Sequence, residues 1–199
     1  KPLIISTGMA SIVEIGDAVE AARGAGCENL VLLKCTSTYP ASPENTNLNT
    51  IVHMRELFDC EVGLSDHTLG IGVAVASVIY GARIIEKHFT LSRAEGGVDS
   101  DFSLEPAELK SLVVETNRAF NAIGKVGFGD CSAEGDSKKY RRSLYIVQDV
   151  KAGDEVTRAN VRAIRPGLGL PPKYLDEVMG KKFNRKIGVG TALDWSLIE

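Results

Sequence analysis

The feature that most constrains this chain is a fourfold alternation of short apolar runs and amphipathic segments across its first 123 residues. Leu3–Ser6 is an apolar run of strand length, and Ser11-Ile-Val-Glu14 has the form of a helix capping box, so a helix is predicted to about Arg23, closed by Gly24 and Gly26. Leu30–Leu33 reads as a buried strand, Leu48–Phe58 as a helix, Glu61–Ser65 as a third strand and Gly70–Tyr80 as a small apolar helix. A fourth strand is expected over Arg83–Glu86, and Pro106 opens a helix that runs to about Ile123. Strands that each precede a helix pair in parallel through right-handed crossovers. Four such units make half of an eight-stranded (β/α) barrel, the α/β class expected here. A doubly wound open sheet would alternate in the same way, but no GxGxxG turn follows the first strand.

The character changes after residue 123. Gly124–Lys139 is rich in glycine and small polar residues and reads as a linker, with Lys138, Lys139, Arg141 and Arg142 as a solvated basic face. From Tyr140, Ser143–Val147 and Ala163–Arg165 read as short strands and Lys151–Asp154 as a turn, which predicts a small β-rich domain over 140–199. The expected organisation is therefore 1–123, a linker over 124–139, and 140–199. A formal net charge of −3 provides no basic field for nucleic acid or an anionic membrane. Cys27, Cys35, Cys60 and Cys131 show neither CxxC pairing nor metal-ligand spacing, which predicts reduced thiols of a cytoplasmic protein.

Chemistry in a (β/α) barrel sits at the C-terminal ends of the strands. The third strand ends in Leu64-Ser-Asp-His-Thr68 and the fourth in Ile85-Glu-Lys-His-Phe89, so each delivers a histidine at the same edge. Side chains two apart share a strand face, which groups Ser65 with His67 and Glu86 with His88. Two imidazoles with nearby oxygens suit a divalent transition metal; the other reading is that each ring only bonds a neighbour at a strand end. Ser37 and Tyr39 after the second strand and Ser6-Thr-Gly8 after the first add hydroxyls able to bind phosphate or carboxylate oxygens, or to cap loops. Paired glycines before Asp99 make a loop able to present that carboxylate to a polar ligand, although from these residues alone a solvated acidic loop is the preferred reading. Arg165, at a strand end before a rigid turn, could grip a carboxylate or carbonyl or simply be solvated. His53 has no such placement and reads as a surface residue.

The strings STGM, CTSTYP, GLSDHT and EKHFTL, in this order, resemble the sialic acid synthase family, and the tail from Tyr140, with IRPGLGL, resembles its antifreeze-like SAF domain. The resemblance implies a (β/α)8 barrel of which this chain holds the C-terminal half. It also implies a manganese-type ion (Mg2+ or Co2+ as alternatives), phosphoenolpyruvate and an amino sugar as substrates, and a domain-exchanged homodimer. Carried over by position, His67 and His88 are the metal ligands. Ser6, Ser37 and Ser65 contact phosphoenolpyruvate, although some members have Asn where Ser37 stands. Tyr39 and Asp99 contact the sugar, Glu86 accepts a proton, and Arg165 reaches the sugar's acyl group across the dimer.

The segment GGVDSDFSLEP resembles the pseudaminic acid synthase branch, which implies a 2,4-diacetamido-2,4,6-trideoxy-L-altrose substrate; N-acetylneuraminate and legionaminic acid synthases are the alternatives. The chain does not begin with Met and opens inside a pattern already under way. The expectation is a fragment that lacks the first four barrel units and, alone, is inactive and poorly soluble. A reading of another class is a non-catalytic carbohydrate-binding module or an ice-binding tail. Lys181, Lys182, Arg185 and Lys186 argue against a flat ice-binding face, and simple sugar binding has no need of His67, His88 and Glu86.

Overall fold

The computed structural model describes residues 1–129 and 132–199, so Cys131, one of the four cysteines, lies outside the described residues. It divides into two compact units, Lys1–Lys125 and Val126–Glu199.

In the first unit the order is β1 (Leu3–Ser6), α1 (Ile12–Gly24), β2 (Leu30–Cys35), α2 (Thr50–Phe58), β3 (Glu61–Asp66), α3 (Gly72–Ile79), β4 (Ile85–Lys87) and α4 (Pro106–Ile123). The strands form one parallel sheet in the order β1-β2-β3-β4, as consecutive βα units of a (β/α) barrel do. Local chemistry starts the helices. Ser11 and Glu14 close a reciprocal capping box, the Glu14 carboxylate accepting from the Ser11 amide at 2.7 Å. That carboxyl is held below its ordinary range by the same bonds. Pro106 stands in the first turn of α4.

The sheet sorts its side chains by alternation. Leu30 and Leu32 of β2 and Val62 and Leu64 of β3 pack with Val19 and Ala22 of α1 and Ile51 and Met54 of α2. A second cluster joins Ala74 of α3 and Leu112 of α4 with Leu104, which lies in the loop just before α4. Each Val, Leu, Ile or Met among them contributes roughly 1.5–3 kcal/mol when fully removed from water. By the same alternation Leu33, Cys35, Gly63 and Ser65 turn to the opposite face. Gly63 is required there, because a Cβ would come 2.2 Å from the Ile84 carbonyl oxygen and 2.7 Å from Leu33.

Three strands run further than their apolar residues predict. β2 continues past Leu33 to Cys35, β3 past Ser65 to Asp66, and β4 begins two residues later than expected and ends at Lys87. The physical reason is that charged residues near these ends are satisfied inside the sheet. Lys34 donates to the Cys35 carbonyl at 2.8 Å and to Thr36 Oγ1 at 3.1 Å, and Lys87 pairs with Asp66 at 2.8 Å.

In the second unit β5 (Ser143–Ile146) pairs antiparallel with β6 (Val161–Ile164). Isolated bridges Val150–Ile187, Glu155–Lys182 and Phe183–Ile198 extend the β structure, and a four-residue α5 (Leu175–Val178) closes one side. Leu144, Ile146, Val161, Val178, Phe183 and Leu193 form a fully buried core. β6 lies two residues earlier than predicted at its start, which leaves Arg165 just beyond its end. Composition predicts a linker to Lys139, but Ser132–Tyr140 forms 3-10 turns. Their end is held from far along the chain: the Gly167 amide donates to the Lys139 carbonyl at 2.8 Å. No helix among the described residues is long and apolar enough to cross a membrane.

Candidate functional site

Alternation and register together build a polar ladder on the face of the sheet turned away from α1 and α2. Cys35 of β2, Ser65 of β3 and Glu86 of β4 are successive register partners, so their side chains stand level on that face. The Ser65 hydroxyl donates to Glu86 Oε1 at 2.7 Å. Ser65 is buried while Glu86 stays exposed, so the carboxylate's second oxygen faces outward from a fixed base.

One step beyond the strand ends the histidines meet. The rings of His67 and His88 lie 5.1 Å apart centre to centre and nearly perpendicular. Nδ1 of His67 is 2.9 Å from the Thr36 carbonyl oxygen, which can only accept, so this nitrogen carries the proton and Nε2 presents its lone pair. Thr36 is itself steadied by Lys34, whose ammonium burial pushes toward a lower pKa. His88 Nδ1 lies 3.7 Å from Asp99 Oδ2. Asp99 sits in the left-handed region at φ 65°, and its carbonyl accepts from the Ser103 hydroxyl at 2.7 Å. The loop that carries it is clamped at its base. Arg93 donates to the Ser103 carbonyl at 3.0 Å and grips Glu108 with both terminal nitrogens. Glu108 is held below the ordinary carboxylate range, first by Arg93 and then by the Glu105 amide.

Aromatic rings wall the imidazoles. Tyr39 lies 4.3 Å from His67 and 6.1 Å from His88, and Phe102 lies 4.9 Å from His88. Six of the residues singled out from sequence (Tyr39, Ser65, His67, Glu86, His88 and Asp99) are thus brought to one region. Ser37 borders it beside Gly8, where a Cβ would fall 2.8 Å from the Ser37 hydroxyl at a backbone φ of +37°, so the β1 and β2 loops approach only because residue 8 is glycine. Ser6 stands deeper, level with Leu33, two residues below the Cys35–Ser65–Glu86 ladder. Arg165 is exposed and belongs to the second unit. His53 is exposed on α2.

Among the described residues no group of three or more His, Cys, Asp or Glu side chains converges to hold a metal by itself. The two imidazoles nevertheless fit an ion as part of a donor set. His67 is oriented by a carbonyl on its other nitrogen, the usual outer support of a metal-binding histidine, and two nitrogen donors leave positions open. Sequence reasoning missed the Thr36 carbonyl, the Arg93 clamp and Phe102. Only Phe102 carried a signal, an aromatic in an otherwise polar loop.

The first unit matches the model of the NeuB family over residues 1–127, and residues 141–199 match the SAF domain. A pseudaminic acid synthase from Campylobacter jejuni is 41% identical over 193 residues, 97% of this chain and 56% of that protein. An N,N'-diacetyllegionaminic acid synthase from Legionella pneumophila is 35% identical over 203 residues, covering 100% of this chain and 57% of the relative. Among solved structures, an N-acetylneuraminic acid synthetase from Leptospira borgpetersenii, in complex with citrate, superposes with a TM-score of 0.63 at 35% identity, over 70% of this chain and 48% of that one. The chain therefore spans little more than half the length of the relatives it matches.

Proposed function

Because this chain belongs to the NeuB family, we propose that the protein containing it condenses phosphoenolpyruvate with an N-acetylated amino sugar, forming a nine-carbon nonulosonic acid and releasing phosphate. The observation that carries the reading is the meeting of His67, His88 and the Ser65–Glu86 pair at the C-terminal ends of adjacent parallel strands. Identity of 41% to a pseudaminic acid synthase favours pseudaminic acid, from 2,4-diacetamido-2,4,6-trideoxy-L-altrose, over N-acetylneuraminate and legionaminic acid.

His67 Nε2 and the His88 ring would hold a divalent ion, manganese in our reading, that supplies Lewis-acid polarisation of the sugar aldehyde when bound. Ser65 fixes Glu86, so that the free carboxylate oxygen can take the proton of the water that adds at C2 of phosphoenolpyruvate. Ser6 and Ser37 offer hydroxyls to its phosphate and carboxylate oxygens. Tyr39 and Phe102 flank the histidines and offer ring faces to the bound sugar, while Asp99 accepts a sugar hydroxyl. In this reading Arg165 reaches the sugar's acyl group in a domain-exchanged homodimer, and the protein works in the cytoplasm. A carbohydrate-binding module without turnover leaves the Ser65–Glu86 pair unexplained.

The test is phosphate release by the full-length protein with phosphoenolpyruvate, Mn2+ and each sugar in turn, with and without EDTA. Chelator-sensitive release with the diacetamido-altrose alone supports the pseudaminic reading. Release with N-acetylmannosamine moves the protein to the sialic branch, and no release from folded, metal-loaded protein returns it to sugar binding.

A further inference from the structure

A second ladder lies behind the first. Asp66 and Lys87 are register partners one residue beyond Ser65 and Glu86, so alternation turns them to the opposite face of the sheet. There they form an ion pair at 2.8 Å, with side chains only 3% and 1% exposed for Lys87 and Asp66. Asp66 Oδ1 also accepts from the Thr68 amide at 2.9 Å and the Thr68 hydroxyl at 2.8 Å, and Lys87 donates further to the Thr68 carbonyl. His67 is therefore bracketed by two members of this buried network, and His88 directly follows the third.

We propose that the Asp66–Lys87–Thr68 network is a positioning device that sets the separation of His67 and His88. The inference rests on the reading that these imidazoles hold a metal ion, and it assigns a role to residues that touch neither ion nor substrate. A buried ion pair adds little net stability over apolar side chains of the same volume, because desolvation offsets its Coulomb attraction. Its bonds are nonetheless directional and charge-assisted, so they restrict where two strand ends come to rest. Apolar side chains here would hold the strands together equally well, but their contacts are non-directional and fix the strand ends beyond the backbone ladder less closely. A binding constellation tolerates only about 0.5 Å of such slack. The other supports of these rings hold each one singly: the Thr36 carbonyl orients His67, and Asp99 stands beside His88. The ion pair spans β3 and β4 one residue before both histidines, on the opposite face of the sheet from the Ser65–Glu86 bond.

The experiment uses the full-length protein, stripped of metal and titrated with Mn2+. Asp66→Leu combined with Lys87→Met removes both charges together and avoids stranding one of them in the interior. The expected result is a cooperative metal-free melt somewhat below the parent's, because the buried Thr68 amide and hydroxyl lose their acceptor, together with a Mn2+ dissociation constant raised at least about tenfold by calorimetry and a broadened electron paramagnetic resonance spectrum of the bound ion. A folded double variant that binds Mn2+ with the parent's affinity and spectrum overturns the proposal. Should the double variant not melt cooperatively, Asp66→Glu decides: it keeps both charges and displaces the carboxylate by one methylene. Weakened binding then supports positioning, and parental binding overturns it. A parent protein that takes up no Mn2+ at all defeats the metal reading itself, a result separate from either of these.

Discussion

The two units bury their apolar residues in opposite ways. The second closes a small core on itself, with Leu144, Ile146, Val178, Phe183 and Leu193 fully removed from water. The first packs one face of a parallel sheet against helices and carries Ser65 and Glu86 on the other, with His67 and His88 just beyond the strand ends. It also leaves apolar side chains in solvent at both margins: Leu3 and Ile4 on edge strand β1, and Val113 and Phe120 on α4. A sheet edge with exposed apolar neighbours is a surface suited to further pairing. What the difference teaches is that the second unit spends its side chains on cohesion, while the first keeps a polar face open for chemistry.

The sharpest way to break that contrast is to remove the imidazoles. Replacing His67 or His88 by Ala in the full-length protein is expected to reduce phosphate release on the order of a thousandfold while the protein still melts cooperatively, with the larger drop in melting temperature at buried His67. A large loss of stability instead would make these rings part of the core.

Next comes the closed core itself. Phe183→Ala should cost about 3–5 kcal/mol in denaturant unfolding of the second unit. The same change at exposed Phe120 should stay within about 0.5 kcal/mol in this chain. A larger cost for Phe120 in the full-length protein would show that this margin is covered there.

A smaller effect tests the ladder. Ser65→Ala removes the hydroxyl bond to Glu86 and should lower kcat roughly tenfold to a hundredfold, as expected for a hydrogen bond to a charged group. An unchanged pH profile of kcat in this variant would argue against Glu86 as the proton acceptor.

The smallest effect concerns acid. Glu108 has its folded pKa depressed by Arg93, so its contribution to holding the Asp99 loop is present above the ordinary carboxylate pKa and fades as pH falls below about 4. Because the pair is partly exposed and spans only the base of the loop, the change should be confined to the loop. Amide exchange of residues 93–104 is expected to rise in acid, and Glu108→Gln should abolish that dependence.

The element pattern was legible in the sequence to a considerable depth. The Ser11–Glu14 capping box and the Pro106–Ile123 helix stand where the residues predict them. Both rest on interactions within one or two turns, which sequence displays directly. Strand ends were less legible: β2, β3 and β4 run through Lys34, Asp66 and Lys87, which a hydrophobicity argument reads as loop. A charge ends a strand only if it needs water, and these find partners instead.

The site divides in the same way. Period-two alternation and the position of strand ends were enough to bring Ser65, His67, Glu86 and His88 together, because both follow from backbone geometry. The sequence by itself thus determined the alternation of strand and helix, the helix caps and the edge at which the histidines stand. Tertiary structure alone decided the Thr36 carbonyl on His67, the Arg93 clamp under Asp99 and the pairing of Asp66 with Lys87. These contacts join residues 31, 15 and 21 positions apart. Local propensity carries no information about such partners, which exist only once the sheet has set its register.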